Sequence, residues 1–414
     1  MRLTDVLRQL KTWGFRGVIE VLRRLPHEMA IKSFLMRNAR SNANTKSVFG
    51  LTIIAPMSGS YSLSKTMRDF VVLLREVGIP HQVFDTSTQR GLVPREDVEP
   101  LLTPKSEFNI LKYDHVVEMF TSPMPKGLPV KRCRIAFWES GSGILDAFPY
   151  LKDSDVVIAM SDFNEEYFRK VLPKNVDVRK IIYPLMPVPP NVPGRDETRR
   201  RYGMGVDDFI VFYNFDLQAF WRKNPDGLVR AFAIAFRDCS DAKLVMKTNH
   251  ASSNADRLHM LKSLAASLGI SKKVVFINDY LPSQEIYALT GACDVYASLH
   301  RGEGFGLGIA EAMQMGRPVV VTAYSAPLEF CNENTAMLIP YKLVEAQEGP
   351  LSLTLGYGAD ADINAAAFAL RRLYENRSEL DALGKHGQKF IQSHFSREAF
   401  RSSVLGMCAV SYEN

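Results

Sequence analysis

Apolar positions along the chain fall into two alternating patterns. Short, nearly unbroken runs such as "GLTIIAP", "DVVIAMS", "AKLVMKT" and "RPVVVTA" are separated by longer stretches in which apolar residues recur every three or four positions. The runs suit strands buried on both faces of a parallel sheet, and the spaced stretches suit helices packed over it. "GLTIIAP", "KTMRDFVVLLREVG" and "HQVFD" therefore predict one βαβ unit, followed by strands in "NILKYDHVVEMF", "CRIAFWES" and "DVVIAMS". Each ends near a small or polar residue, at the sheet edge where open α/β sheets bind ligands.

"IIYPLMPVPPNVPGRDETRRRYG" interrupts this pattern with five prolines from Pro184 to Pro193, which predicts a linker. The alternation then restarts. "DFIVFYNFD", "AKLVMKT", "KVVFIND", "DVYASLH" and "RPVVVTA" predict strands, while "NPDGLVRAFAIAFRD", "NADRLHMLKSLAASLG" and "PSQEIYALTGAC" predict helices. Asn224 is expected to cap the first of these helices, with Pro225 at its first position. Two α/β halves are thus expected: residues 48–186 and 205–394, joined by a linker over 187–204. Ahead of them, Leu3, Val6, Leu7, Leu10, Trp13, Val18, Val21, Leu22 and Leu25 predict an amphipathic helix over 3–25 within a basic extension, 1–47. That helix suits either an anionic membrane face or the protein's own core.

Charge sharpens this division. Residues 1–47 carry ten Lys and Arg against three Asp and Glu, whereas the whole chain has a net charge of only +6. The main body is therefore close to neutral, which argues against a nucleic-acid partner. The five cysteines are scattered without CxxC spacing, which predicts neither disulfides nor a zinc site and fits a cytoplasmic setting. No apolar run approaches the roughly 20 residues of a membrane span. The start lacks a signal-peptide pattern, so the chain is expected to stay where it is made.

Candidate chemistry concentrates in "LHRGEGFGLGIAEAMQMG", Leu299–Gly316, where five glycines surround Glu303 and Glu311. A strand, a glycine-rich turn and a helix start are expected there. Gly304, Gly306 and Gly308 permit close approach of a phosphate, and the helix N-terminus presents N–H groups and positive dipole. Eight helical steps would bring Glu311 within about 80° of Glu303's face, so both carboxylates can address one elongated ligand. Two hydroxyl-binding acids flanking a phosphate site describe a nucleotide sugar. A plain βα turn is the alternative. A dinucleotide fingerprint is disfavoured because the next strand, ending "VVVTAYSAP", lacks the required acid.

Glu303 to Glu311 resembles the E-x7-E motif of the retaining glycosyltransferases of family 4, the glycosyl transferases group 1. The resemblance extends through "WRKNPDGLVRAFAIAF", "FINDYLPSQEIYALTGACDVYASL" and "FSREAFRSSVLGM", the last similar to the family's C-terminal crossover helix (395–414, returning to the first domain). It implies a GT-B fold: two Rossmann-like domains facing a cleft, here with an N-terminal amphipathic helical extension.

It also implies that Glu303 binds donor-sugar hydroxyls and Glu311 the ribose. Phe305, Gly306, Leu307 and Gly308 would hold the sugar and diphosphate, and Arg222 and Lys223 would neutralise the leaving diphosphate. Leu217 stands where relatives often carry a further Arg. Lys247 joins the phosphate site or caps the sheet edge. Asp279 and Tyr280 fall where the base is bound, Glu329 lies near the donor pocket, and Gly59 and Ser60 form the loop approaching donor and acceptor. Glu139 stands where many relatives have a histidine and is assigned to the acceptor hydroxyl. His300 supports the loop.

The expected reaction is retaining transfer of a hexose-type sugar from a UDP- or GDP-linked donor to a glycan or lipid-linked acceptor, in surface polysaccharide or glycolipid assembly. No cofactor or metal is expected. Peripheral contact with the inner membrane face is expected through 3–25. Alternatives are a GT-B epimerase, a phosphorylase or a non-catalytic scaffold.

Overall fold

The computed structural model describes residues 33, 49–59, 62–87, 93, 95–104, 113, 115–119, 130–347 and 356–409. The expected helix over 3–25 and Ser60 lie outside the described residues. Contacts divide the chain into two compact units.

The first unit is built on strands β1 (Leu51–Ala55), β2 (His81–Asp85), β3 (His115–Met119), β4 (Lys131–Ile135), β5 (Val156–Ala159) and β6 (Asp177–Lys180). They form one parallel sheet in the order β2-β1-β3-β4-β5-β6. β1 is buried at all five positions, as a central strand covered on both faces must be. The helix Ser62–Glu76 covers the sheet through Met67, Phe70, Val71 and Leu74, spaced three or four apart and all fully buried. The C-terminal helix Arg397–Ala409 belongs to this unit. Phe400 meets Phe70 edge-on at 5.7 Å, Arg397 Nε donates to Glu76 Oε2 at 2.6 Å, and Ile182 N donates to Ser403 Oγ at 3.0 Å.

The second unit comprises Trp138–Ser142 and Pro187–His394. Its strands are β7 (Phe209–Asp216), β8 (Ala242–Asn249), β9 (Val274–Ile277), β10 (Val295–Ser298), β11 (Val319–Thr322) and β12 (Met337–Ile339). They form a second parallel sheet, ordered β12-β11-β10-β7-β8-β9. A separate antiparallel pair, β13 (Tyr341–Glu345) and β14 (Tyr357–Ala361), follows β12. Its appearance was not expected from the sequence pattern.

Two expectations change at this level. The linker read over 187–204 does not remain irregular, because Arg195–Arg201 forms a helix within the second unit. Arg199, 1% exposed, donates to Asp294 Oδ2 at 2.8 Å, Ala292 O at 2.9 Å and Asp208 O at 2.8 Å. The charged end of that stretch thus anchors the second unit. Trp138–Ser142, read as the end of a first-domain strand, is grouped with the second unit, and β4 stops at Ile135.

Candidate active site

The loop before helix Pro225–Phe236 and the turn after β10 are bound together in several places. Asn224 has left-handed backbone (φ 50°), whereas a capping side chain needs an extended one, so it makes no cap hydrogen bond. Its Nδ2 donates instead to Leu299 O at 2.8 Å. The main chain of Arg301 donates to Arg222 O at 2.7 Å, and Arg222 Nη1 donates to Gly302 O at 3.0 Å. The expected cap is thus a clasp that joins the "WRKN" segment to the glycine-rich turn.

The clasp places Glu303, 7% exposed, among cations. Lys223 Nζ hydrogen-bonds Glu303 Oε1, and Arg222 Nη1 lies 3.4 Å from Oε2. Burial pushes the Glu303 carboxyl up, but Lys223 and Arg222 override it and hold its pKa at about 2. Glu303 is therefore an anion across the physiological range and cannot donate a proton. Arg222 Nη2 also lies 3.6 Å from Glu139 Oε1, so Glu139 joins the cluster through Arg222. Despite the cost of burying it, Glu139 and Glu303 raise the pKa of the Arg222 guanidinium and keep it charged.

Several supporting residues were not visible in the sequence. Glu303 N donates to Ser325 Oγ at 3.0 Å, and Tyr213 Oη donates to Lys223 O at 2.8 Å. Burial, with Glu303 nearby, raises the Tyr213 pKa and keeps the phenol neutral. His300, expected to support the loop, lies beneath it. It is fully buried, with Nδ1 3.2 Å from Ser298 Oγ and Nε2 3.2 Å from Tyr324 O.

The helix after the turn spans Leu307–Gln314 and starts from Gly306, whose φ of 92° favours glycine. The reckoning of eight helical steps between the two glutamates therefore fails, because the first part of that span is turn. Glu311 lies just over one turn into the helix, 8% exposed, and accepts from Tyr287 Oη at 3.2 Å. Phe305 is buried against Phe330, with ring centroids 5.4 Å apart. Two glycines have packing roles of their own: a Cβ on Gly308 would lie 2.4 Å from Tyr296 Oη, and one on Gly302 would lie 2.2 Å from Glu139 O.

Lys247 ends a separate group at the carboxyl side of β8. It is 2% exposed and hydrogen-bonds Asn249 Oδ1. Burial lowers its pKa to about 8 against the pull of Asp216 and Asp279. Tyr280, beside Asp279, is 54% exposed. The Glu329 side chain is 3% exposed, and its Oε1 lies 3.1 Å from His394 Nε2. In the first unit, Gly59 sits in a braced loop: Arg68 Nη1 donates to Gly59 O at 2.8 Å, and Asp85 accepts from Met57 N and Ser58 Oγ. Among the described residues, no cluster of three or more His, Cys, Asp or Glu could hold a metal, and no helix is long and apolar enough to cross a membrane. None of the five cysteines forms a disulfide.

Residues 195–350 match the family described as glycosyl transferases group 1. D-inositol 3-phosphate glycosyltransferase of Corynebacterium aurimucosum is 32% identical over 156 residues, which is 36% of this chain and 36% of that relative. The alignment thus spans about a third of its length. Sucrose-phosphate synthase of Thermosynechococcus elongatus superposes with a TM-score of 0.67 at 18% identity, covering 88% of this chain and all of that one. The HepE protein of Anabaena, solved with UDP-glucose, gives a TM-score of 0.62 at 16% identity over 87% of this chain and all of its own. These likenesses show a GT-B fold of two Rossmann-like units. Within it, the stretch that matches the glycosyl transferases group 1 family, residues 195–350, lies in the second unit.

Proposed function

We propose that this chain is a retaining glycosyltransferase that moves a hexose-type sugar from a UDP- or GDP-linked donor to an acceptor hydroxyl. The observation that carries the reading is Glu303, ionised between Lys223 and Arg222 and four residues ahead of the helix beginning at Leu307. Departure of a nucleoside diphosphate builds negative charge, and two preplaced cations beside a helix N-terminus stabilise it. Glu303 accepts hydrogen bonds from donor-sugar hydroxyls. Phe305, Gly306, Leu307 and Gly308 hold the sugar and diphosphate, and Glu311 holds the ribose. Lys247, Asp279 and Tyr280 complete the nucleotide side, Gly59 and Ser60 approach the donor phosphates, and Glu139 orients the acceptor.

In this reading the phosphate charge is met by protein cations and backbone N–H groups, without a resident cofactor. The relatives' names, which include a glycosyltransferase and a protein solved with UDP-glucose, support this donor class. The acceptor is a glycan or a lipid-linked saccharide in surface polysaccharide or glycolipid assembly, reached at the cytoplasmic membrane face through the basic segment 3–25.

The test is nucleoside diphosphate release from a panel of UDP- and GDP-sugars, with and without extracts containing lipid-linked acceptors. Acceptor-dependent release with retained anomeric configuration is expected. Release that ignores the acceptor would point to an epimerase. Vesicle sedimentation of the chain with and without residues 1–30 tests the membrane contact; equal partitioning would rule it out.

A further inference from the structure

The β13–β14 hairpin belongs to neither main sheet, yet β14 is bonded directly to the residue two before Glu303. Ala359 N donates to Arg301 O at 2.8 Å. Asp360 Oδ1 accepts from both Nε (3.0 Å) and Nη2 (2.7 Å) of Arg301. The third guanidinium nitrogen, Nη1, donates to Trp221 O at 2.7 Å, and the guanidinium carbon lies 5.3 Å from the Trp221 ring centroid. The Arg301 main-chain N–H donates to Arg222 O at 2.7 Å. Gly358 completes the fit, since a Cβ there would lie 2.5 Å from the Trp221 ring.

Arg301 thus joins three segments: the turn that carries Glu303, the segment that carries Arg222 and Lys223, and the hairpin. We infer that Arg301 and Asp360 are positioning residues, through which the hairpin fixes the spacing between Glu303 and its two cations. This rests on the reading of that cluster as the donor-phosphate site.

Arg contributes a rigid planar fork here, which Lys cannot supply. The Asp360 side chain is 47% exposed, so its ion pair adds little to global stability. Its effect is on geometry, and small misplacements of charged groups have large kinetic effects.

The experiment compares the full chain with Asp360→Asn and Arg301→Lys. Both variants should melt close to the parent. Amide hydrogen exchange at Arg301 and Ala359 should accelerate about tenfold, while exchange in β7 and β8 stays unchanged, consistent with local opening. With a nucleotide-sugar donor, kcat should fall about tenfold to 100-fold, with the acceptor KM unchanged, for a displacement of up to about 1 Å. Unchanged exchange in both variants would overturn the inference, as would accelerated exchange with undiminished kcat. If the parent releases no nucleoside diphosphate from any donor, the donor-site reading fails, and the exchange measurement still decides whether the brace exists.

Discussion

The second unit contains two buried carboxylates held by arginine or lysine, at opposite ends of its strands. Asp294, just before β10, accepts from Arg199 Nη2 at 2.8 Å, Arg195 Nη2 at 2.7 Å and Ile210 N at 2.8 Å. Glu303, beyond the carboxyl end of the same strand, is held by Lys223 and Arg222. Asp294 is locked partly by the main chain, and its partner Arg199 also bonds four carbonyl groups of the protein. The cations around Glu303 retain 20% and 16% side-chain exposure, against 1% for Arg199 and 36% for Arg195, but the Glu303 carboxylate is held by side chains alone. A carboxylate bonded to the main chain, beside an arginine itself bonded to carbonyl groups, fixes a fold. Charges satisfied chiefly by partly exposed side chains can exchange one partner for a ligand.

The contrast can be broken in order of expected effect. Glu303→Gln should reduce kcat by about 100-fold or more, as loss of a preplaced electrostatic group in a water-excluded site does, while the protein melts normally. An unchanged turnover would remove Glu303 from the chemistry. Asp294→Ala should show the opposite pattern. It leaves Arg199 buried without its counter-ion and should cost about 3–5 kcal/mol in denaturant unfolding, with nucleotide affinity retained in the folded fraction. Lys223→Met should weaken UDP or GDP binding about tenfold, the order of one charge-assisted hydrogen bond, as read by calorimetry.

The smallest effect is in pH. The folded-state pKa of Glu303 is depressed from 4.5 to about 2. Its stabilising contribution is therefore complete above about pH 4.5 and lost as pH falls toward 2. The stability difference between the parent and Glu303→Gln should be flat from pH 7 to about 5 and shrink below that. A difference that begins to shrink near pH 7 would show that the cations do not hold this carboxylate.

Much of this architecture was legible in the sequence because buried parallel strands and their covering helices leave opposite periodicities. β7, β10 and β11 lie within the quoted apolar runs, and β8 extends one residue past its own. The glutamates and the "WRKN" cations were legible as motifs. Their supports were not. Ser325, Tyr213 and Asp360 lie 22, 10 and 59 residues from the groups they bond, and two of the three bonds involve main-chain atoms, which no side-chain pattern announces. Asn224 misled because its identity suits a cap, while its left-handed backbone directs the amide elsewhere. The hairpin was missed because "YKLVE" is largely exposed and has no apolar run to mark it.

Gly302 has one more implication. A methyl group at its α-carbon would fall 2.2 Å from the Glu139 carbonyl oxygen, a backbone atom that no rotamer change can move aside. A saturation library at position 302 screened for folded, active protein should return glycine alone. Among natural homologues, an occupant other than glycine there should mark a chain whose 139 segment has taken another path.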